Sequence, residues 1–292
     1  MVIKNCETIQ DLLSEGIKSL KEVGIESYIL ESQLLLGKVI NKDRLFIMIN
    51  KDYKVSKEEK DQYLKLIDIR KEKMPIKYIL GICEFMGLSF KIREGVLIPR
   101  PDTEILVEKS IEIIRKNHYK NISDVCCGSG IIGISIATFV DKVNVECFDV
   151  EEIPLKITEE NIKLNRLEGK VKVFKSNLLE YAIKNSIKYD MIVSNPPYIK
   201  KREITNLMED VKNYEPHIAL DGGEDGLYFY KNIVKQSKHL LNSGGTIAFE
   251  IGYDQKEEVS CILESNGFVN IECYKDLAGL DRVVIGTLKT TN

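Results

Sequence analysis

The chain has 292 residues, enough for one large domain or a small domain plus a medium one. Hydrophobic residues make up 43% and charged residues 30%, an ordinary globular composition, and no apolar run reaches the ~18 residues of a spanning helix. The 42 basic and 45 acidic residues give a net charge of −3, leaving no global excess of positive charge for phosphate backbones. Residues 1–7, Met-Val-Ile-Lys-Asn-Cys-Glu, lack the layout of a signal peptide, so a cytoplasmic protein with no membrane partner is expected. The seven cysteines include no Cys-x-x-Cys pair, and His118, His217 and His239 are scattered, so no metal site is expected.

Residues 1–75 read as helices. Ile9, Leu13, Ile17 and Leu20 recur at helical spacing behind Thr8, a suitable N-cap. A second stripe, Ile29, Leu30, Leu34 and Leu35, is expected to stop at Gly37. Ser56 and Glu59 form a capping box ahead of Tyr63, Leu64, Leu66 and Ile67, and Pro75 breaks the pattern. This region carries 14 Lys/Arg against 13 Asp/Glu, so its near-neutral bundle suits a protein partner better than a nucleic acid. Residues 76–101 read as a hairpin joining two domains, with residues 78–81 and 85–92 as short strands. Arg100, between Pro99 and Pro101, either steadies a site wall or forms a surface ion pair. A helix over 105–115 follows, capped by Asp102 or Thr103.

From residue 121 onward strands and helices alternate, as in a doubly wound parallel sheet. An apolar strand over 122–126 runs into Gly128-Ser129-Gly130 and a helix over 131–140. Such a turn lets a ligand approach backbone closely at a helix N-terminus. A second strand, 143–148, ends in Asp149, placed for the two hydroxyls of a ribose. Those features suit any adenosine-type cofactor. Asp124, which would repel a pyrophosphate, favours one bearing an ammonium. A helix over 151–167 has Pro154 in its first turn. The third strand, 171–177, ends with Asn177 and Leu178, placed to hydrogen-bond and to pack on an adenine.

The fourth strand runs through Met191–Val193 into Asn195-Pro196-Pro197-Tyr198. Proline fixes φ and has no N–H, so this strand end is stiff and presents carbonyls free of competing donors. Two acceptors and the face of Tyr198 make a bracket for a planar amino group. Beyond it come a long loop over 199–226 with the features of a lid, a helix over 227–241, a strand over 245–251, and a helix over 256–265. An antiparallel pair, 269–274 and 282–288, closes the chain.

With these segments in place, the chain resembles the peptide chain release factor glutamine N5-methyltransferases (the HemK/PrmC family) nearly end to end. The resemblance rests on residues 75–81, 96–104, 124–130, 195–199, 215–227 and 276–284. It implies a class I S-adenosylmethionine-dependent methyltransferase, with a Rossmann-like seven-stranded sheet and a small N-terminal helical domain joined by a β-hairpin. The implied domains are 1–75 for release-factor docking, 76–101 as hairpin linker and 102–292 for catalysis. The implied reaction methylates the side-chain amide of the glutamine in a release factor's Gly-Gly-Gln motif, without a general base. Asn195, Pro196, Pro197 and Tyr198 would be catalytic. Asp124, Cys126, Cys127, Gly128, Ser129, Gly130, Asp149, Asn177, Leu178 and Asn195 would hold the cofactor. The family usually has glycine at the position of Cys126, where a thiol fits only with negative φ, and often Asp at that of Asn177. Rival readings are glutamine methylation of a ribosomal protein, N-methylation of adenine or guanine in nucleic acid, and a non-catalytic cofactor sensor.

Overall fold

The computed structural model describes residues 7–290, so the reading of Met1–Cys6 as free of a leader lies outside the described residues. The chain divides into two compact units. One is the chain up to Ile82 together with Glu209–Tyr214; the other is Cys83–Met208 with the chain from Glu215 onward.

The first unit is helical: α1 (Ile9–Glu22), α2 (Tyr28–Ile40), α3 (Arg44–Ile49), α4 (Lys57–Lys71) and α5 (Ile76–Leu80). Both expected capping boxes form, with Thr8 and Asp11 opening α1 and Ser56 and Glu59 opening α4. Ile9, Leu12, Leu20, Leu35, Leu36 and Tyr63 fill its core. Gly16 allows close helix packing, since a Cβ there would lie 1.9 Å from the Tyr63 hydroxyl, which is bonded to Ser32 at 2.7 Å.

Two expectations are corrected here. Helix α2 runs past Gly37 and stops at Asn41, which takes the left-handed conformation at φ 52°. Gly37 instead faces the Lys42 carbonyl at a distance no Cβ tolerates, and Ile29 and Leu30 point to solvent. Residues 78–81 are not a strand. Pro75 as N-cap and Gly81 at φ 76° bracket the single helical turn α5.

In chain order the remaining elements are β1 (Ile82–Phe85), β2 (Leu88–Lys91), α6 (Thr103–Asn117), β3 (Asn121–Val125), α7 (Ile131–Phe139), β4 (Asn144–Asp149), α8 (Glu152–Leu164), β5 (Val171–Lys175), α9 (Glu180–Lys184), β6 (Tyr189–Ser194), α10 (Glu209–Tyr214, of the first unit), α11 (Tyr228–Ser237), β7 (Leu241–Glu250), α12 (Lys256–Ser265), β8 (Phe268–Lys275) and β9 (Asp281–Leu288). Strands β1 and β2 form a two-stranded hairpin, though not with the expected strands: a turn at Met86-Gly87 breaks the run 85–92, and β1 before it pairs with β2 after it. The hairpin is fastened to α8, where the Asn161 side chain bonds the Lys91 N–H at 2.7 Å and the Lys91 and Ser129 carbonyls at 3.0 and 2.9 Å.

The main sheet has seven strands in the order β5-β4-β3-β6-β7-β9-β8. Strands β3 to β7 pair in parallel, while β9 and β8 close the far edge antiparallel. The order reverses between β3 and β6, so a crevice opens at their carboxyl ends. The Ser194 hydroxyl donates to the Val125 carbonyl at 2.6 Å and ties those two ends together. Among the described residues no helix is long and apolar enough to cross a membrane.

Candidate active site

A cavity of about 280 Å³ occupies this crevice. Its wall takes Cys126 and Gly128 from the turn after β3, Asp149 from the end of β4, Asn177 and Leu178 from beyond β5, and Asn195 and Pro197 from beyond β6. Four successive strand ends thus converge on one space, as a doubly wound sheet requires.

Local chemistry holds the turn open. Asp149 Oδ2 accepts from the Gly128 N–H at 3.0 Å, and its Oδ1 from the Glu151 N–H at 3.1 Å. Burial raises the Asp149 pKa, and these backbone donors pull it back toward the charged form. Gly128 sits at φ 58° and a Cβ built there meets nothing within 4 Å, so the bare backbone faces open space. Asn177 donates to Glu180 Oε1 at 2.8 Å, and Leu178 lies buried with φ 50°.

Six of the expected residues stand off the cavity: Asp124, Cys127, Ser129, Gly130, Pro196 and Tyr198. Asp124 lies fully buried beneath the turn, where its Oδ2 accepts from the Gly133 N–H at 2.9 Å. Its Oδ1 has no hydrogen-bond partner, and burial lifts its pKa to about 7. Cys127 is buried, with its thiol 3.7 Å from the Thr158 hydroxyl. Tyr198 packs on the core of this unit, and burial raises its phenol to about 12. The aromatic rings on the cavity wall are those of Phe148, Tyr228 and Phe229.

Cys126 departs from the expectation of negative φ: it sits at 59°, in the left-handed region. That geometry costs a side chain about 1–2 kcal/mol and explains why glycine suits the position. Burial and the nearby Asp149 and Asp124 charges push its thiol far above the ordinary range, which disfavours the thiolate. Cys126→Val puts a branched Cβ into this conformation and into the cavity. We expect a loss of about 1–3 kcal/mol in thermal denaturation and weaker cofactor binding by titration.

Four residues outside the expected set, Glu215, Gln255, Thr103 and Glu250, complete the site. The buried Glu215 accepts from Arg100 at 2.7 Å and from the Ile98 N–H at 3.2 Å. Arg100 therefore steadies a wall, since Val96, Leu97, Pro216 and Ala219 on either side of this pair line the cavity. The loop after the bracket is pinned at Ile199, whose N–H and carbonyl bond Leu220 and Gly222. Gln255 Nε2 donates to the Tyr198 and Gly226 carbonyls at 3.1 and 3.2 Å. Thr103 Oγ1 accepts from Asn195 Nδ2 at 3.4 Å, and the Glu250 carboxylate faces both side chains. Among the described residues no cluster of His, Cys, Asp and Glu could hold a metal.

Known proteins agree with this architecture. The methyltransferase small domain matches residues 102–224 and the PrmC N-terminal domain residues 11–81. The catalytic domain of hMettl16 superposes with a TM-score of 0.56 at 16% identity, covering 81% of this chain and 84% of that one. Sheet order and strand-end site define a class I methyltransferase. The release factor glutamine methyltransferase of Clostridium botulinum is 59% identical over 276 residues, 94% of this chain and 98% of that protein. That of Clostridium acetobutylicum is 50% identical over 277 residues, 95% and 97% of the two chains. The chain belongs to the release factor glutamine methyltransferase family.

Proposed function

We propose that this protein methylates the side-chain amide nitrogen of the glutamine in the Gly-Gly-Gln motif of bacterial release factors, in the cytoplasm, with S-adenosylmethionine as methyl donor. The observation that carries the reading is the placing of Asn195 and Pro197 on the same cavity wall as Asp149 and Gly128. A cofactor cradle and an amide bracket then meet in one crevice. The residues fit the cofactor: Asp149 suits a ribose, the bare Gly128 backbone leaves room beside it, and Leu178 offers an apolar face to an adenine. The buried, unpartnered Asp124 Oδ1 beneath the turn suits a positively charged group above it. When bound, the cofactor supplies an electrophilic methyl on a sulfonium.

An amide nitrogen is a weak nucleophile because its lone pair is delocalised, so positioning has to do much of the catalysis. Asn195 Oδ1 accepts one amide hydrogen, the backbone carbonyl of Pro196, set between the wall residues Asn195 and Pro197, accepts the other, and together they aim the nitrogen at the methyl. Such alignment contributes up to ~7–11 kcal/mol. Pro197 lies along the amide plane. No general base is needed before attack, because the nitrogen becomes acidic once alkylated. The helical unit docks the release factor. The test supplies labelled cofactor with a purified release factor, a ribosomal protein mixture, or RNA and DNA in separate reactions. Label in the release factor alone supports the reading, and label confined to either other arm overturns it.

A further inference from the structure

We infer that Glu250, facing both the Asn195 amide and the Thr103 hydroxyl beside it, is a positioning residue that fixes which edge of the Asn195 amide faces the cavity. The inference rests on the proposed role of Asn195 as amide acceptor.

Glu250 ends β7 with 1% of its surface exposed, and Thr103 is equally buried at the start of α6. Neither lines the cavity, whereas Asn195 does. Asn195 Nδ2 donates to Thr103 Oγ1, so the Thr103 proton must go elsewhere. The carboxylate it faces is that of Glu250, an acceptor only when ionised. Asn195 Nδ2 donates to Thr103, and the Glu250 carboxylate is the negative charge that both the Thr103 hydroxyl and the Asn195 amide face. Asn195 Oδ1, the acceptor a substrate amide needs, is thereby turned toward the cavity. Glu250 Oε2 has no hydrogen-bond partner, which is costly at this depth unless the charge serves a purpose. The backbone there is secured independently, because the Tyr230 hydroxyl bonds the Glu250 carbonyl at 3.0 Å.

Burial raises the Glu250 pKa to about 7, against the pull of the Thr103 hydroxyl, the Arg282 guanidinium and the Asn195 amide. Asp102 beside α6 pushes the same way as burial, and the phenols of Tyr198 and Tyr230 also face the group. Below that pH Glu250 gains a proton and donates to Thr103. The hydroxyl proton then turns to Asn195 Oδ1, and the amide presents its NH₂ edge to a substrate that is itself a donor. Activity should therefore be present above about pH 7 and fall away below it.

The experiment compares wild type, Glu250→Gln, Thr103→Val, Thr103→Ser and Asn195→Ala for kcat, KM and pH profile, with cofactor titration as the control for folding. We expect Glu250→Gln to lower kcat about 10- to 100-fold, the cost of a misaligned reactant. Cofactor affinity should hold and the acidic limb near neutral pH should disappear. Thr103→Val should fall similarly and Thr103→Ser should recover. Wild-type kcat and an unchanged acidic limb in Glu250→Gln, alongside an inactive Asn195→Ala, would overturn this inference alone. An active Asn195→Ala would overturn the reading beneath it.

Discussion

Asn195→Ala is expected to lower kcat by about two to three orders of magnitude, the usual cost of removing one preorganised hydrogen-bonding group at a reacting centre. The cofactor should still bind, since Asp149, Gly128 and Leu178 hold most of the shared cavity wall. Thermal stability should change little, because Asn195 is only half-buried and its side-chain bond to Thr103 is long at 3.4 Å. Steady-state kinetics with saturating cofactor measure the effect. A variant as active as wild type would contradict the positioning mechanism.

The second large effect concerns stability in the helical unit. Glu31 and Arg70 form a buried pair, with Arg70 Nε 2.5 Å from Glu31 Oε2 and side chains only 6% and 9% exposed. Ser27 and the Met74 carbonyl satisfy further atoms of the pair at 2.9 and 3.2 Å. Glu31→Ala strands the guanidinium without a counter-charge, which costs about 3–5 kcal/mol. Replacing both partners by apolar residues of similar volume should be far milder, because no buried charge is then left alone. Calorimetry should show a destabilised transition for the single variant. The second unit has its own core, so cofactor affinity should hold. On the proposed docking role, KM for the release factor should rise.

Much of the fold was legible because its signals are local. Thr8 and Ser56 announce their helices through capping boxes that close within three residues, and both form. The Gly128 turn and the strands on either side likewise follow from short-range pattern. Local signals also misled where two residue types compete for one job. Gly37 and Asn41 can each end a helix, and only packing against the Lys42 carbonyl shows that Gly37 is needed for close approach. The Tyr-Ile-Leu run at residues 78–80 reads as strand, yet Pro75 before it and Gly81 after it are helix punctuation.

The site divides the same way. Asp149, Asn195 and the glycine turn stand at strand ends, and alternation of strands and helices places strand ends together. Glu215, Gln255, Thr103 and Glu250 act on segments distant in sequence; Thr103 and Asn195 are 92 residues apart. No local pattern joins such residues. One trace was available: Glu250 is an acid within the apolar run Ile247-Ala248-Phe249-Glu250-Ile251, and a buried acid needs a reason. Tyr198, in the same run as Asn195, is partly buried where it packs on the core of its unit.

The most direct test of the central claim uses labelled S-adenosylmethionine with two purified release factors. One is intact, and the other has its Gly-Gly-Gln glutamine changed to alanine. The predicted result is label in the intact factor alone, with mass spectrometry placing one methyl on that glutamine side chain. Equal labelling of both factors, or a methyl on any other residue, would contradict it.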